Sequence, residues 1–410
     1  MAKTRILYVS PNSLLGGGEI NQMLLACNVD RTAFDVEVAV CDDGPYANEL
    51  RRRGMAVTVV PMEPIRFRSR SAPSPLSALR LCRHIRRVGP CIVHSSSLPA
   101  DHHSAIAARM ANVPVIHDAQ TIIYRTMPLR PKNRRAGEQE SRRLSLFHLF
   151  TYLSSPVLYM RWRAASSARV ICISHAIRDA MARAGLPTHN TEVIYSGVDP
   201  GIRGKANGPR AREELDLVGR DVVGIASRLS PEKGQEIFLR AAAALKDRFP
   251  NARFLIAGGP IYAPRDYEAH LKQLALSLGL VGRVVFTGFR KDALDVIDAT
   301  DVMVCAADEE ALGRVVLEAM ALAKPVIATR AGGPCETVED GVTGLLVPPR
   351  DFASLAEAIA KLLSDMDVAR CMGKLGEQRA ARLYTLSQNI QKVQELYRRI
   401  LSERAQERRK

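Results

Sequence analysis

No stretch of this 410-residue chain holds the roughly 18 consecutive apolar residues that a membrane-spanning helix needs. The opening run, Ile6-Leu7-Tyr8-Val9, is too short for the apolar heart of a secretion signal and reads as a first strand. Eight cysteines (27, 41, 82, 91, 172, 305, 335 and 371) are scattered with no C-x-x-C pair. That spacing argues against a metal site or a disulfide framework and for free thiols in a reducing compartment. Zinc-finger spacing and RNP-type aromatic motifs are missing too, which counts against nucleic acid as a partner. The expected location is the cytoplasm, with any membrane contact peripheral.

What is present is ordinary for a soluble α/β protein: 47% hydrophobic and 25% charged residues, in a chain long enough for two domains with a core each. The net charge of +15 is uneven. Residues 1–200 carry 26 Lys and Arg against 15 Asp and Glu, so +11 falls in that half. Such a basic half attracts anions, and anionic lipid headgroups, phosphorylated substrates and nucleic acid fit it equally by charge alone, as does a set of merely solvated arginines.

The first half alternates strand and helix. Ile6–Val9 leads into Leu14-Leu15-Gly16-Gly17-Gly18-Glu19 and a helical pattern through Asn28. The dinucleotide fingerprint G-x-G-x-x-G fails here, because the sixth position from Gly16 is Asn21, which removes the main support for a nicotinamide enzyme. Three successive glycines still let backbone approach a ligand closely, or simply make a tight turn. Strands are expected at 36–40, 57–60, 91–94, 114–116 and 169–174, and Arg66–Arg70 reads as an exposed basic loop. The 114–116 strand delivers His117 and Asp118 at its carboxyl end, where such sheets place ligands and where imidazole could orient a hydroxyl, or could be a structural histidine bonded to a loop carbonyl. Residues 124–163 interleave nine arginines and lysines with aromatic residues. They read either as a surface lying on an anionic membrane or as a loop followed by an ordinary packed helix.

Gly201 to Arg212, rich in glycine and charge, marks a domain boundary, after which strands and helices start afresh. Arg228 and Lys233 flank the turn after the first new strand and suit a diphosphate, one by fork geometry and one as a point charge. A later unit runs from Asp308 to Cys335. Glu310 precedes a helix and Glu318 lies inside it, so two carboxylates stacked about 12 Å apart along one helix axis could grip an extended ligand. Free N–H groups around Gly313 and Arg314 would meet a phosphate. Residues 384–410 close the chain with an amphipathic helical pattern whose charged end, from Glu403, is expected to fray.

Three segments together, Arg228-Leu229-Ser230-Pro231-Glu232-Lys233-Gly234, Glu310 and Glu318 with Gly313 between, and Gly332-Gly333-Pro334, resemble the retaining, nucleotide-sugar-dependent glycosyltransferases of family four. The resemblance covers most of residues 190–350 and is looser before that. It implies a GT-B fold: two Rossmann-like domains facing a central crevice. The acceptor-binding domain is 1–200, joined by a crossing helix at 385–410, and the donor-binding domain is 201–384. It also implies roles. Arg228 and Lys233 bind the donor diphosphate, Glu318 the ribose, and Glu310 the transferred sugar. Backbone at Leu312, Gly313, Arg314 and Val315 holds the distal phosphate and sugar, and Arg290 lies where the chain passes the base. Gly17 and Gly18 close on the phosphates, and His117 touches the donor sugar. Leu312 stands where the family commonly has phenylalanine, and Ala311 where glycine is frequent.

Arg228, Lys233 and the helix dipole at Gly313 would stabilise the leaving phosphate without a metal or other cofactor. Transfer with retention, the leaving phosphate taking the acceptor's proton, is what the family implies. The acceptor is expected to be a glycan or lipid-linked hydroxyl compound, with the protein peripheral at the inner face of the cytoplasmic membrane. A nucleotide-sugar epimerase of the same fold and a non-catalytic sugar-nucleotide binder are the competing functions. The first would need acid and base groups that only His117 offers, and the intact Arg228, Lys233, Glu310, Glu318 set argues against the second.

Overall fold

The computed structural model describes residues 3–12, 14–63, 65–67, 70–96, 101–120, 156–259 and 266–409. The chain forms two compact units, Met1–Tyr195 with Asn389–Lys410, and Ser196–Gln388.

The first unit is built on seven parallel strands: β1 (Thr4–Ser10), β2 (Phe34–Val40), β3 (Ala56–Val59), β6 (Ile92–Ser95), β7 (Val115–Ala119), β8 (Arg169–Cys172) and β9 (Thr191–Val193), in the order β3-β2-β1-β6-β7-β8-β9. Ile6, Leu7, Tyr8 and Val9 are all fully buried, the continuous apolar run of a strand covered on both faces. The order grows outward from β1 to β3, then restarts with β6 on the other side of β1. Connections therefore diverge at the β1/β6 boundary and leave their carboxyl ends open there, the place where doubly wound sheets take ligands. The glycine turn and the helix Gly17–Asn28 follow β1.

The second unit repeats the plan with six parallel strands: β10 (Asp221–Ala226), β11 (Ala252–Ala257), β12 (Val284–Gly288), β13 (Val302–Cys305), β14 (Val326–Thr329) and β15 (Gly344–Val347), in the order β12-β11-β10-β13-β14-β15. Its reversal lies between β10 and β13, the strands that precede Arg228–Lys233 and Asp308–Gly313. Phe238 and Phe254, edge to face at 5.9 Å, centre the core between sheet and helices. Both units are thus Rossmann-like.

Several sequence expectations are corrected. Arg66–Arg70 belongs to no open loop, because β4 (Ile65–Phe67) pairs antiparallel with β5 (Arg70–Ala72) as a hairpin. Residues 201–212 hold a 3-10 turn at Pro200–Gly204 and most of a helix at Gly208–Glu214. The final helix runs from Leu386 to Glu407 without stopping at Glu403, whose carboxylate takes two hydrogen bonds from Arg169 at 2.8 and 3.0 Å. Its apolar face buries Ile390, Val393, Leu396, Tyr397 and Ile400 within the first unit. Of the basic, aromatic segment 124–163, residues 124–155 lie outside the described residues. Its end forms the helix Pro156–Ser166, in which Arg163 is fully buried rather than offered to a surface. No helix among the described residues is long and apolar enough to cross a membrane.

Candidate functional site

In the second unit, β10 ends at Ala226 and the chain turns through Ser227–Gly234. Buried Gln235 fixes this loop by donating from Nε2 to Ser227 Oγ and to the Arg228 carbonyl, each at 2.9 Å. Lys233 ends a 3-10 turn, Pro231–Lys233, and Gly234 enters the next helix at φ +75°. Only glycine fits there, since a Cβ would stand 2.0 Å from the Ala306 carbonyl oxygen at the end of β13. That contact presses the β10 and β13 loops together, and the amide of Asp308 donating to the Glu232 carbonyl at 2.9 Å joins them again.

The consequence is an ion pair across 77 positions of sequence, with Lys233 Nζ 2.6 Å from Glu310 Oε2 and both side chains about one-fifth exposed (19% and 18%). Burial pulls the Lys233 ammonium down, but the Glu310 carboxylate more than offsets this and its pKa stands above the ordinary value. Cys305 beneath them is pushed up to about 12, chiefly by burial, so it stays a neutral thiol. The Glu310 loop is held from below by glycine. Gly332, at φ +74°, would put a Cβ 2.1 Å from the Glu310 carbonyl oxygen, and the Gly333 amide donates to that same oxygen at 2.8 Å.

Glu310 does not share a helix axis with Glu318 as expected. The helix is Arg314–Ala321, Gly313 caps it in the left-handed region at φ +83°, and Glu310 sits in the preceding turn, bridged to Gly332. Inside the helix Arg314 Nε binds Glu318 Oε1 at 2.8 Å. Leu312 and Ala311 are buried, while Arg314 and Val315 are half-buried. First-turn amides of a helix have no intrahelical acceptor. Arg228 is turned toward Glu232, 2.7 Å away, whose Oε1 also accepts from Ser230 Oγ at 2.8 Å. The Arg290 guanidinium is engaged by Glu214 on one side and by Asp292 on the other, the latter at 2.8 and 2.7 Å, with its pKa raised by those bonds.

In the first unit, Gly17 and Gly18 open the helix Gly17–Asn28 at the β1/β6 reversal, and Asn12 Nδ2 donates to Glu19 Oε1 at 2.6 Å across the turn. His117 is a correction. Strand β7 continues to Ala119, so His117 lies within the sheet, with none of its surface exposed, rather than at the strand end. Its Nδ1 is 2.9 Å from Ser167 Oγ and its Nε2 is 3.7 Å from the buried Asp101 carboxylate. Burial, with Arg163 adding to it, drops the imidazole to about 3, which keeps it neutral. These are the surroundings of a structural histidine.

Sequence reading missed the partners. Glu214, 76 positions from Arg290, and Gly332, in the turn that braces Glu310, come from distant positions, whereas Asp292 and Gln235 lie close in sequence to Arg290 and the Arg228 loop they hold. Only the doubled glycine hinted at its role. Among the described residues no group of three or more His, Cys, Asp or Glu side chains is arranged to hold a metal ion.

Known proteins share this arrangement. The family profile described as Glycosyltransferase Family 4 matches residues 15–201, and that described as Glycosyl transferases group 1 matches residues 209–379. The GDP-mannose-dependent alpha-(1-6)-phosphatidylinositol monomannoside mannosyltransferase of Mycolicibacterium smegmatis is 34% identical over 291 residues, 66% of this chain and 74% of that one. The D-inositol 3-phosphate glycosyltransferase of Corynebacterium urealyticum is 33% identical over 243 residues, 57% of each chain. The chain thus spans little more than half the length of some curated relatives it matches. Among solved structures, Anabaena HepE in complex with UDP-glucose superposes with a TM-score of 0.79 at 26% identity, over 96% of this chain and 98% of that one.

Proposed function

The chain belongs to the family 4, group 1 glycosyltransferases of GT-B fold, and from that premise we propose that it moves a sugar, with retention, from a nucleotide-diphosphate sugar to a glycan or lipid-linked hydroxyl in glycolipid or polysaccharide assembly. The observation that carries the reading is the joining of Lys233 and Glu310 at the β10/β13 reversal, directly before the helix that Gly313 opens. A cation, a carboxylate and a helix N-terminus at one strand-order reversal match the three parts of such a donor: diphosphate, sugar hydroxyls and the charge that develops as the bond breaks.

In this reading Lys233 and Arg228 exchange carboxylate partners for the diphosphate. Glu310, released from Lys233, accepts from hydroxyls of the transferred sugar, and Glu318 accepts from the ribose. Backbone amides at Gly313, Arg314 and Val315 hold the distal phosphate. The leaving phosphate, neutralised by these groups, takes the proton of the attacking hydroxyl on the same face, and no metal is required. The first unit serves the acceptor, with Gly17 and Gly18 as its closest backbone approach.

A membrane-borne acceptor is favoured by the face of the helix Pro75–Val88. Between Glu63 and Asp101 the sequence has seven arginines and no acidic residue. Leu76 and Leu79 stand 53% and 42% exposed beside Arg80 and Arg83. Apolar side chains amid unneutralised arginines suit an anionic headgroup layer.

Purified protein mixed with UDP- and GDP-sugars and hydroxyl acceptors should release nucleotide diphosphate only when an acceptor is added, with the same rate in EDTA. Release without acceptor, or sugar isomerisation without release, overturns the transferase reading.

A further inference from the structure

A chain of buried polar side chains runs through the first unit from its last helix to the glycine turn. Tyr8 and Tyr397 hydroxyls are 2.7 Å apart, and Tyr397 Oη is 2.6 Å from His94 Nδ1. His94 Nε2 is 2.8 Å from Asp118 Oδ1, and Gln120 Nε2 donates to Asp118 Oδ2 at 3.0 Å. Tyr8, Tyr397 and His94 are fully buried and Asp118 nearly so. The direction of each bond follows from the one end that cannot donate. An ionised Asp118 only accepts, so His94 carries its proton on Nε2 and receives the Tyr397 hydroxyl at Nδ1, and Tyr397 in turn receives Tyr8. The same logic orients the Gln120 amide, whose nitrogen must face Asp118 and whose oxygen must face away.

That oxygen ends at the glycine turn. Gln120 Oε1 lies 2.6 Å from the position a Cβ on Gly18 would occupy. It is buried and, among the described residues, has no hydrogen-bond donor. Every other member of the chain is matched, so a lone acceptor at the end that faces a ligand-binding turn calls for an explanation. The helix behind the turn cannot supply one by shifting. Gln22, fully buried, pins it by donating to the Val9 carbonyl at 3.2 Å while accepting from Tyr46 Oη at 2.9 Å.

We propose that Gln120 is a substrate-binding residue, its Oε1 accepting from a hydroxyl of the sugar substrate at the Gly17–Gly18 turn, and that Tyr397, through His94 and Asp118, is the positioning residue that fixes the amide in that orientation. The inference rests on the transferase reading for the identity of the hydroxyl compound. The relay itself does not depend on it.

Kinetics and histidine NMR test the two parts separately. Gln120→Ala should raise KM for one of the two sugar substrates about tenfold, the scale of one lost hydrogen bond to a neutral group, with kcat little changed. Tyr397→Phe should raise the same KM by a smaller factor, and the double variant should match Gln120→Ala alone. Gln120→Ala kinetics within twofold of the parent, or a Tyr397→Phe effect that multiplies in full on the Gln120→Ala background, overturns the proposal. Where no donor supports turnover, the histidine spectra carry the test. In either case the ring nitrogens of His94 must read as the Nε2–H tautomer, with Nδ1 shifting in Tyr397→Phe and Nε2 shifting in Gln120→Ala. An unmoved Nε2 in folded Gln120→Ala protein also overturns it.

Discussion

The two units share one sheet plan yet equip their strand-order reversals differently. At β10/β13 the second unit sets opposite charges in pairs on partly exposed loops: Lys233 with Glu310, Arg228 with Glu232, and Arg314 with Glu318 behind them. At β1/β6 the first unit sets a glycine turn over a buried chain of hydroxyl, imidazole, carboxylate and amide. Paired charges on loops can change partners when an anionic ligand arrives, because each member remains solvated or paired throughout. A buried chain cannot rearrange without stranding a polar group, so it suits holding one geometry. The first arrangement fits a charged ligand and the second a neutral, polyhydroxylated one.

The largest effect expected from this contrast is at Glu310. Glu310→Ala should lower transfer by about a thousandfold, the order seen when a group acting on the reacting centre is lost, while circular dichroism and melting temperature stay near the parent's. Near-normal turnover would place the sugar elsewhere. Next comes Gly332→Ala, which forces a side chain into the left-handed region and against the Glu310 carbonyl. Urea unfolding should show a loss of about 2–4 kcal/mol in the second unit, with transfer reduced as Glu310 is displaced. A stable, active Gly332→Ala protein would mean the two loops are not braced as described.

Sequence alone reached the doubly wound plan, because parallel strands announce themselves as short apolar runs between helices and glycine turns. It also placed Lys233, Glu310 and Gly313 in loops beside strand ends and Glu318 in the helix that follows, positions that are local in motif. It misplaced His117 by ending a strand three residues early: His-Asp looks like a loop start, but Asp118 is satisfied inside the sheet by His94, so the strand can continue through both. It did not show the acids that hold Arg290, because one of them, Glu214, lies 76 positions away. Long-range pairing of side chains has no periodicity to read. The same reason hid Tyr397, 303 positions from His94, which the sequence showed only as one apolar residue on an amphipathic helix.

A smaller effect separates the units by surface charge. Arg80→Gln with Arg83→Gln should weaken binding to vesicles containing anionic lipid by several-fold per charge removed, at about 1 kcal/mol each, and the difference should vanish at high salt. Leu76→Ser with Leu79→Ser should weaken vesicle binding too but leave binding to heparin unchanged. Equal losses on both would mark a general polyanion face instead of a membrane one.

The smallest effect is on stability with pH, and its sign differs in timing between the units. In the first unit, burial lowers His117 to about 3 and His102 to about 4, Arg163 adding to both. Unfolded histidines titrate near 6.5. Below that value the unfolded chain binds protons that the folded unit refuses, so stability falls as pH drops from about 6.5 toward 4. In the second unit the carboxylates of Glu232, Asp292 and Asp340 are lowered from ordinary values, and their contribution is lost only as pH falls below about 4. The sole tryptophan, Trp162, belongs to the first unit and reports on it alone. Between pH 6.5 and 4.5 the melting temperature followed by tryptophan fluorescence should therefore fall by a few degrees while the second unit's transition, followed by circular dichroism at 222 nm as the remaining step, holds nearly constant. His117→Gln, which cannot take up a proton, should flatten the fluorescence trend. A trend that persists unchanged in His117→Gln and His102→Gln would assign the softening to groups other than these two histidines.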